Sequence, residues 1–214
     1  MTMRKIYILL FLILTWGLFC HFPASQPGGL LGFRHLLLAE ESSKEEETLF
    51  MAKKAFEDGF YEVSIGLAER LLKNYPDSPN AIEANLLIGE CFFHQNKFLR
   101  ALSQFETIFD DPRAKGIRDA LYYWTAEVHF KGNNFSQAAV YYNKIIKEFP
   151  ASSYAPLAYY SLGWCSFQEQ KFQEALEYFK ALTEKYPKEP QSKEAGFKIV
   201  ECLYSLKDYR ALKE

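Results

Sequence analysis

The sequence lacks the short motifs that carry most catalytic and cofactor chemistry. It has no glycine-rich phosphate loop and no nucleophile elbow, and its four histidines and four cysteines show neither His-x-x-x-His nor Cys-x-x-Cys spacing. A formal net charge of only −2 gives no electrostatic reason to expect nucleic acid as a partner. We therefore expect a protein that is not an enzyme and that binds neither a cofactor nor a metal ion.

What the chain has instead is abundant apolar and aromatic material. Hydrophobic residues make up 49% of its 214 residues, and aromatic residues make up 17%. A chain of this length and composition can bury a sizeable core, either as one domain or as a short array of repeats.

The N-terminus has the pattern of a targeting signal. Arg4 and Lys5 precede an uncharged run from Ile6 to Phe22, which combines the basic flank and apolar core of an export signal. We expect residues 1–25 to act either as a cleaved signal peptide or as a retained signal anchor, and lipidation of Cys20 is a third alternative. In each case the rest of the chain is exported to the periplasm or cell envelope.

A change of composition follows the signal. Residues 26–44 begin with proline and glycine and end with acidic residues, which predicts a linker. Within it, the apolar segment Leu30–Ala39 is either a short helix or partly disordered. The sequence from Ser43 to Glu46 has the spacing of a capping box, so we expect the first helix of the folded body to begin there.

Four sets of residues recur with one spacing through the rest of the chain. An aromatic residue recurs every 37 residues at Tyr61, Phe98, Phe135, Phe172 and Tyr209. In the same register are the small or modest residues Ala52, Gly89, Ala126, Gly163 and Val200, the set Ser64, Ala101, Ala138 and Ala175, and the aromatics Phe105, Tyr142 and Phe179. A constant period of this length indicates stacked structural repeats.

Each repeat reads as two amphipathic helices joined by a short turn. In the second repeat the apolar spacing predicts helices from Ile82 to Gln95 and from Phe98 to Phe109. Gly89 and Gly163 are expected to let the two helices of a repeat approach closely. Prolines end the second helices because proline cannot continue the hydrogen-bond ladder.

These motifs resemble the tetratricopeptide repeat (TPR). The matching residues are Gly89, Phe92, Phe98, Ala101 and Phe105 in the second repeat, and Gly163, Phe172, Ala175, Phe179 and Pro187 in the fourth. The usual TPR period is about 34 residues, so these repeats have longer connections. The sequence segments around Tyr75-Pro76 and Phe149-Pro150 resemble those of periplasmic TPR proteins. Two groups are similar: BamD-type outer-membrane assembly lipoproteins and YbgF/CpoB-type Tol-associated proteins.

The resemblance implies an all-α fold for residues 45–214. It predicts a right-handed TPR solenoid of about four and a half helix-turn-helix repeats, preceded by the signal or anchor helix. The expected repeats span about 45–81, 82–118, 119–155, 156–192 and an incomplete 193–214. Cys91, Cys165 and Cys202 share one position in this array, which predicts a small buried slot rather than a disulfide or metal site.

TPR proteins of this kind bind partners in a groove lined by the first helix of each repeat. The resemblance places eleven residues there: Leu86, Glu90, Phe93, Tyr123, Glu127, Phe130, Tyr160, Trp164, Phe167, Phe197 and Glu201. For Phe93, Phe130 and Phe167 the alternative is packing between neighbouring helices. Glutamates and aromatics stand where carboxylate-clamp TPR proteins carry Lys, Arg and Asn. Such a groove suits a helix or extended peptide with apolar anchors and some Lys or Arg.

These observations favour an exported scaffold that binds protein or peptide segments. Outer-membrane assembly and cell-division coordination are the roles that the resemblance implies, with membrane contact only through the N-terminal segment. The alternative is an N-terminal arm or oligomerisation segment of a larger envelope machine. It is suggested by the fifth repeat, which stops at Glu214, six residues into its second helix and without a capping helix, and this end could also form an oligomer.

Overall fold

A computed structural model of the chain describes residues 29–208 and 210, with side chains described from residue 42. This part of the chain contains nine α-helices and one 3₁₀ helix, and no strand. The α-helices are α1 (Gly29–Glu57), α2 (Tyr61–Asn74), α3 (Pro79–His94), α4 (Phe98–Phe109), α5 (Arg118–Lys131), α6 (Phe135–Glu148), α7 (Tyr154–Gln168), α8 (Phe172–Lys185) and α9 (Pro190–Ser205); the 3₁₀ helix is Pro112–Ile117. The predicted signal segment, Cys20 and Tyr209 lie outside the described residues.

The chain divides into two units, residues 1–44 and 45–214. Helix α1 runs without interruption from Gly29 to Glu57, so Ser43 lies inside it. The predicted capping box at Ser43–Glu46 is therefore wrong, and the described part of the predicted linker is helical. The part of α1 from Glu45 onward is the first helix of the first repeat. None of the described helices is both long enough and apolar enough to cross a membrane.

The repeats form consecutive pairs of helices, as the periodicity predicts. The pairs are α1–α2, α3–α4, α5–α6 and α7–α8, and α9 is the first helix of the fifth repeat. Prediction and structure agree on Phe98–Phe109 for α4, whereas α3 begins at Pro79, three residues before the predicted Ile82. Proline fits the first position of a helix, where its missing N–H has no intrahelical partner.

One residue in each turn between paired helices has a left-handed backbone. These residues again recur every 37 positions: Gly59, Asn96, Asn133, Gln170 and Lys207, with φ between 58° and 79°. In the second repeat, the Lys97 N–H then donates to the Phe92 carbonyl oxygen at 2.8 Å and closes the helix end. These five positions are not among the periodic residues that predicted the repeats, although glycine and asparagine, which occupy three of them, adopt this conformation most readily.

Glycine permits close packing within the second and fourth repeats. A methyl group at Gly89 would lie 2.2 Å from the Phe105 ring, and one at Gly163 would lie 2.5 Å from the Phe179 ring. Both rings are fully buried. The predicted close approach is therefore confirmed, and the group that fills the space is the aromatic ring of the second helix.

The connection after the second repeat differs from the others. Elsewhere the second helix ends two residues before its proline, as at Asn74 before Pro76 and Lys185 before Pro187. After α4, Pro112 instead begins the 3₁₀ helix, which leads directly into α5. The Asp111 carboxylate caps this segment by accepting from the Arg113 N–H at 2.8 Å. The 37-residue period is unchanged across this connection, so the 3₁₀ helix replaces part of the loop and the first residues of the next helix without adding residues.

The three cysteines of the array lie in the core. Cys91, Cys165 and Cys202 are buried and carry free thiols, and the corresponding Val128 is also buried. Burial raises the pKa of the Cys91 thiol to about 11 and that of Cys165 to about 12. Their predicted position in a small core slot is confirmed. A thiol with a raised pKa is a poor nucleophile at neutral pH.

Candidate functional site

The first helices of successive repeats lie side by side and form one continuous face. Helix α3 contacts α5, α5 contacts α7, and α7 contacts α9. We call this surface the first-helix face. All eleven residues predicted to bind a partner lie on these four helices, and their burial distinguishes core residues from residues with exposed surface.

Two of the eleven are core residues. Leu86 is 6% exposed and Phe93 is 8% exposed, and both belong to the cluster that fills the first two repeats. Side chains buried to this extent offer almost no surface of their own, although Leu86 lines a cavity described below. The prediction that Phe93 presents a binding surface is therefore wrong, and Leu86 is accessible only through that cavity.

The recurring phenylalanines Phe93, Phe130 and Phe167 have a mainly structural role. Each ring packs edge-on against the aromatic residue that begins the next helix, with centroid distances of 5.6 Å for Phe93–Phe98, 5.4 Å for Phe130–Phe135 and 5.3 Å for Phe167–Phe172. Such pairs stabilise the turn between paired helices. Phe130 and Phe167 keep partial exposure, so a role for them in partner binding stays a prediction.

Tyr123 and Glu127 belong to a polar cluster inside the third repeat. The Tyr142 hydroxyl donates to the Glu127 carboxylate at 2.6 Å, and the Tyr123 ring lies 4.8 Å from that of Tyr154. Burial raises the pKa of Glu127, while the hydrogen bond from Tyr142 opposes this change. The described ring contacts of Tyr123 are with Trp124, Tyr142 and Tyr154, and a role for Tyr123 in partner binding stays a prediction.

Tyr160 and Trp164 do form an aromatic patch. Their ring centroids are 6.4 Å apart, and both rings keep partial exposure. The Lys198 ammonium lies 4.4 Å from the centre of the Trp164 ring, and the same nitrogen is 2.8 Å from the Glu201 carboxylate. The first-helix face therefore already holds one basic side chain between an aromatic ring and an acid.

Large exposed aromatic side chains also lie on α9, the helix that packs beside α7. Phe197 is 74% exposed and Tyr204 is 67% exposed. Exposed aromatics of this size supply rigid contact area in protein interfaces. Phe197 is thus the predicted binding residue that the structure leaves most accessible.

Glu90 lies at a cavity of about 310 Å³ on the same face, nearer the N-terminus. The cavity is also lined by Phe56 of α1, Leu87 of α3, Ile117 of the 3₁₀ helix and Tyr154 of α7. Burial raises the pKa of the Glu90 carboxyl to about 7, and the negative charge of Glu83 acts in the same direction. Nearby Trp124 and Lys53 oppose the rise, because each favours the carboxylate.

Sequence reasoning did not identify the walls of this cavity. Ile117 ends the 3₁₀ helix and Tyr154 is the first residue of α7, and both lie outside the positions carried over from the family pattern. One signal in the sequence does distinguish the site. The second repeat has Phe105 where the third has Tyr142, so Glu90 has no equivalent of the hydroxyl that bonds Glu127.

Sequence comparison agrees with the observed helix pairs. A family model for the tetratricopeptide repeat matches residues 51–116 and 125–190, which together exceed half of the chain. The chain belongs to the TPR family. Comparison with curated protein sequences finds no match.

Solved TPR structures share the fold of this chain. A TPR protein from Parabacteroides merdae is 16% identical with a TM-score of 0.62, over 79% of this chain and 63% of the other. YrrB, a TPR protein with an unusual peptide-binding site, is 19% identical with a TM-score of 0.59, over 81% and 84% of the two chains. MamA is 21% identical with a TM-score of 0.55, over 72% and 85%. At these identities the likeness concerns the fold.

Proposed function

We propose that this TPR protein is an exported, non-catalytic scaffold that binds a segment of a partner protein on its first-helix face. TPR repeats are protein-interaction modules, which supports the scaffold role. The observation that carries the choice of surface is the pair of partly exposed rings Tyr160 and Trp164 on α7, together with the largely exposed Phe197 on the neighbouring α9. The basic flank and apolar run at the N-terminus support export to the cell envelope.

A helix or extended peptide with apolar anchors fits this surface best. The rings of the patch offer broad apolar contact, and Glu201 supplies negative charge beside it. Outer-membrane assembly and cell-division coordination are the settings that the sequence resemblance favours. In either setting the scaffold would hold one envelope protein in place for another.

The proposal is tested by site-specific crosslinking in cells that express the chain. A photoreactive phenylalanine analogue at Phe197 is expected to capture a discrete partner, and Trp164→Ala is expected to weaken that capture about tenfold or more. Leu99 of α4 is the matched control position, because it is 84% exposed but lies on a second helix. Capture that is equal at Leu99 and Phe197, or unchanged by Trp164→Ala in a folded protein, would refute the proposed surface.

A further inference from the structure

The cavity beside Glu90 has the size and the walls of a side-chain pocket. Its volume of about 310 Å³ is at the lower end of the roughly 300–1,000 Å³ typical of ligand sites, so it suits one long side chain rather than a whole ligand of drug size. Phe56, Leu87, Ile117 and Ala120 form apolar walls. Apolar walls of this kind suit the methylene stem of a lysine or arginine, whose charged head needs an anion.

Three carboxylates lie around the cavity, but two already have cations. Glu83 is 2.6 Å from the Lys53 ammonium, and Glu57 is 3.1 Å from the Lys54 ammonium, with all four side chains more than one third exposed. No cation lies within ion-pair distance of Glu90 among the described residues. The best-buried acid of the pocket is thus the one whose charge is unpaired, which is the costly arrangement for a buried charge.

The corresponding acids of other repeats are satisfied within the protein. Glu127 accepts the Tyr142 hydroxyl at 2.6 Å, and Glu201 is paired with Lys198 at 2.8 Å. The second repeat has Phe105 in place of Tyr142, and a phenyl ring cannot donate. Among the acids at this position, Glu90 is therefore the one left for an external donor.

The indole N–H of Trp124, which lies beside Glu90, also lacks a well-placed hydrogen-bond acceptor. The Trp124 indole N–H is buried and makes no hydrogen bond of normal geometry, although its ring packs 5.2 Å from Phe93 and 5.4 Å from Tyr123. Its proximity favours ionised Glu90. An indole N–H is a donor only, and an ionised Glu90 supplies a strong acceptor. A cation brought to Glu90 would therefore stabilise the ionised form that Trp124 also favours.

We propose that the cavity, which we call the Glu90 pocket, receives a lysine or arginine side chain of the partner polypeptide. The cation binds the Glu90 carboxylate, and the methylene stem packs against Phe56 and Leu87. The inference rests on the proposed function, since it assigns a specificity pocket to the same first-helix face. The contact of Lys198 with Trp164 and Glu201 shows the same chemistry formed within the chain.

The inference is tested on the full chain with three capped amino acids as probes: the N-acetyl amides of arginine, lysine and norleucine. Binding is followed by NMR through the methyl signals of Leu87, Ile117 and Ala120, which line the pocket. At pH 8 the arginine and lysine probes should shift these signals, and the norleucine probe, which has no cation, should not. Equal shifts from norleucine would overturn the proposal.

Two variants make the test specific. Glu90→Gln should weaken arginine-probe binding at least tenfold, while Glu62→Gln, which changes an exposed acid of α2 already paired with Lys97, should leave it within twofold. Unchanged binding to Glu90→Gln would overturn the proposal. This failure is distinct from failure of the proposed function, because partner capture at Phe197 is measured separately and does not require the pocket.

The pH dependence of probe binding gives an independent readout. Because the cation binds ionised Glu90, affinity for the arginine probe should rise about tenfold between pH 6 and pH 8. The other charged or titratable groups facing this region are Lys53 and Glu57 of α1, Glu83 and His94 of α3, Asp119 of α5 and Tyr154 of α7. Burial lowers the pKa of His94 below its ordinary value, so this side chain favours its neutral form. Affinity that does not change over the window would count against the proposal.

Discussion

Replacing Glu90 by glutamine should stabilise the protein above neutral pH and leave its stability near pH 4.5 almost unchanged. The carboxyl has an ordinary pKa of 4.5 and a folded-state pKa of about 7, so the folded chain binds this proton more tightly than the unfolded chain. The difference corresponds to about 3 kcal/mol. This contribution is fully present below pH 4.5, is lost as the pH rises to about 7, and stays absent above that.

Glutamine has nearly the same shape and no charge to bury, so it does not lose stability over this range. The free energies of unfolding of Glu90→Gln and the parent should therefore agree near pH 4.5 and diverge by up to about 3 kcal/mol at pH 8, with the variant more stable. Urea unfolding followed by circular dichroism at pH 5, 6, 7 and 8 measures the divergence. Glu201→Gln, the exposed control, should change stability by less than about 0.5 kcal/mol throughout. If the free energy of unfolding changed with pH by the same amount in Glu90→Gln and in the parent, the reasoning would be refuted.

Three further predictions test the packing, the Glu90 environment and the location. Gly163→Ala should lower the free energy of unfolding by about 1–3 kcal/mol, because the new methyl group meets the buried Phe179 ring at 2.5 Å. Gly196→Ala is the control: it has open space around it and should raise the free energy of unfolding by about 0.5–1 kcal/mol. Phe105→Tyr should lower the pKa of Glu90, measured by NMR titration, if the hydroxyl reaches it as Tyr142 reaches Glu127; an unchanged pKa would contradict this. The chain should resist protease in intact cells and become digestible when the outer barrier is opened, and recovery in the cytoplasmic fraction would contradict export.

The helices and their close contacts could be predicted because each repeat supplies the same local signals. Fixed spacing places Gly163 opposite Phe179, and proline follows the end of the second helix at the same distance in every complete repeat except the second. Four sets of residues recur with the same period, so a mismatch at one position does not change the predicted repeat boundaries. The start of the first helix has no such support, and the local capping pattern at Ser43 was misleading there.

The burial of individual groove residues could not be predicted in the same way. Leu86 and Tyr160 occupy the same repeat position, yet Leu86 is in the core and Tyr160 is partly exposed. Exposure at this position depends on how neighbouring helices pack and on the 3₁₀ helix after α4, which brings Ile117 to the Glu90 cavity. Those are long-range features that a periodic pattern does not contain.

The repeats share a backbone but differ in how they satisfy one position on the first-helix face. That position holds Lys53, Glu90, Glu127, Trp164 and Glu201 in successive repeats. Lys53 is paired with Glu83, Glu127 with the Tyr142 hydroxyl, Trp164 with the Lys198 ammonium, and Glu201 with the same ammonium. Only Glu90, among these described side chains, combines burial with the absence of a cation or hydroxyl donor. Since folding alone would favour an internal partner there, as in the third repeat, the phenylalanine at position 105 leaves this acid available for a ligand.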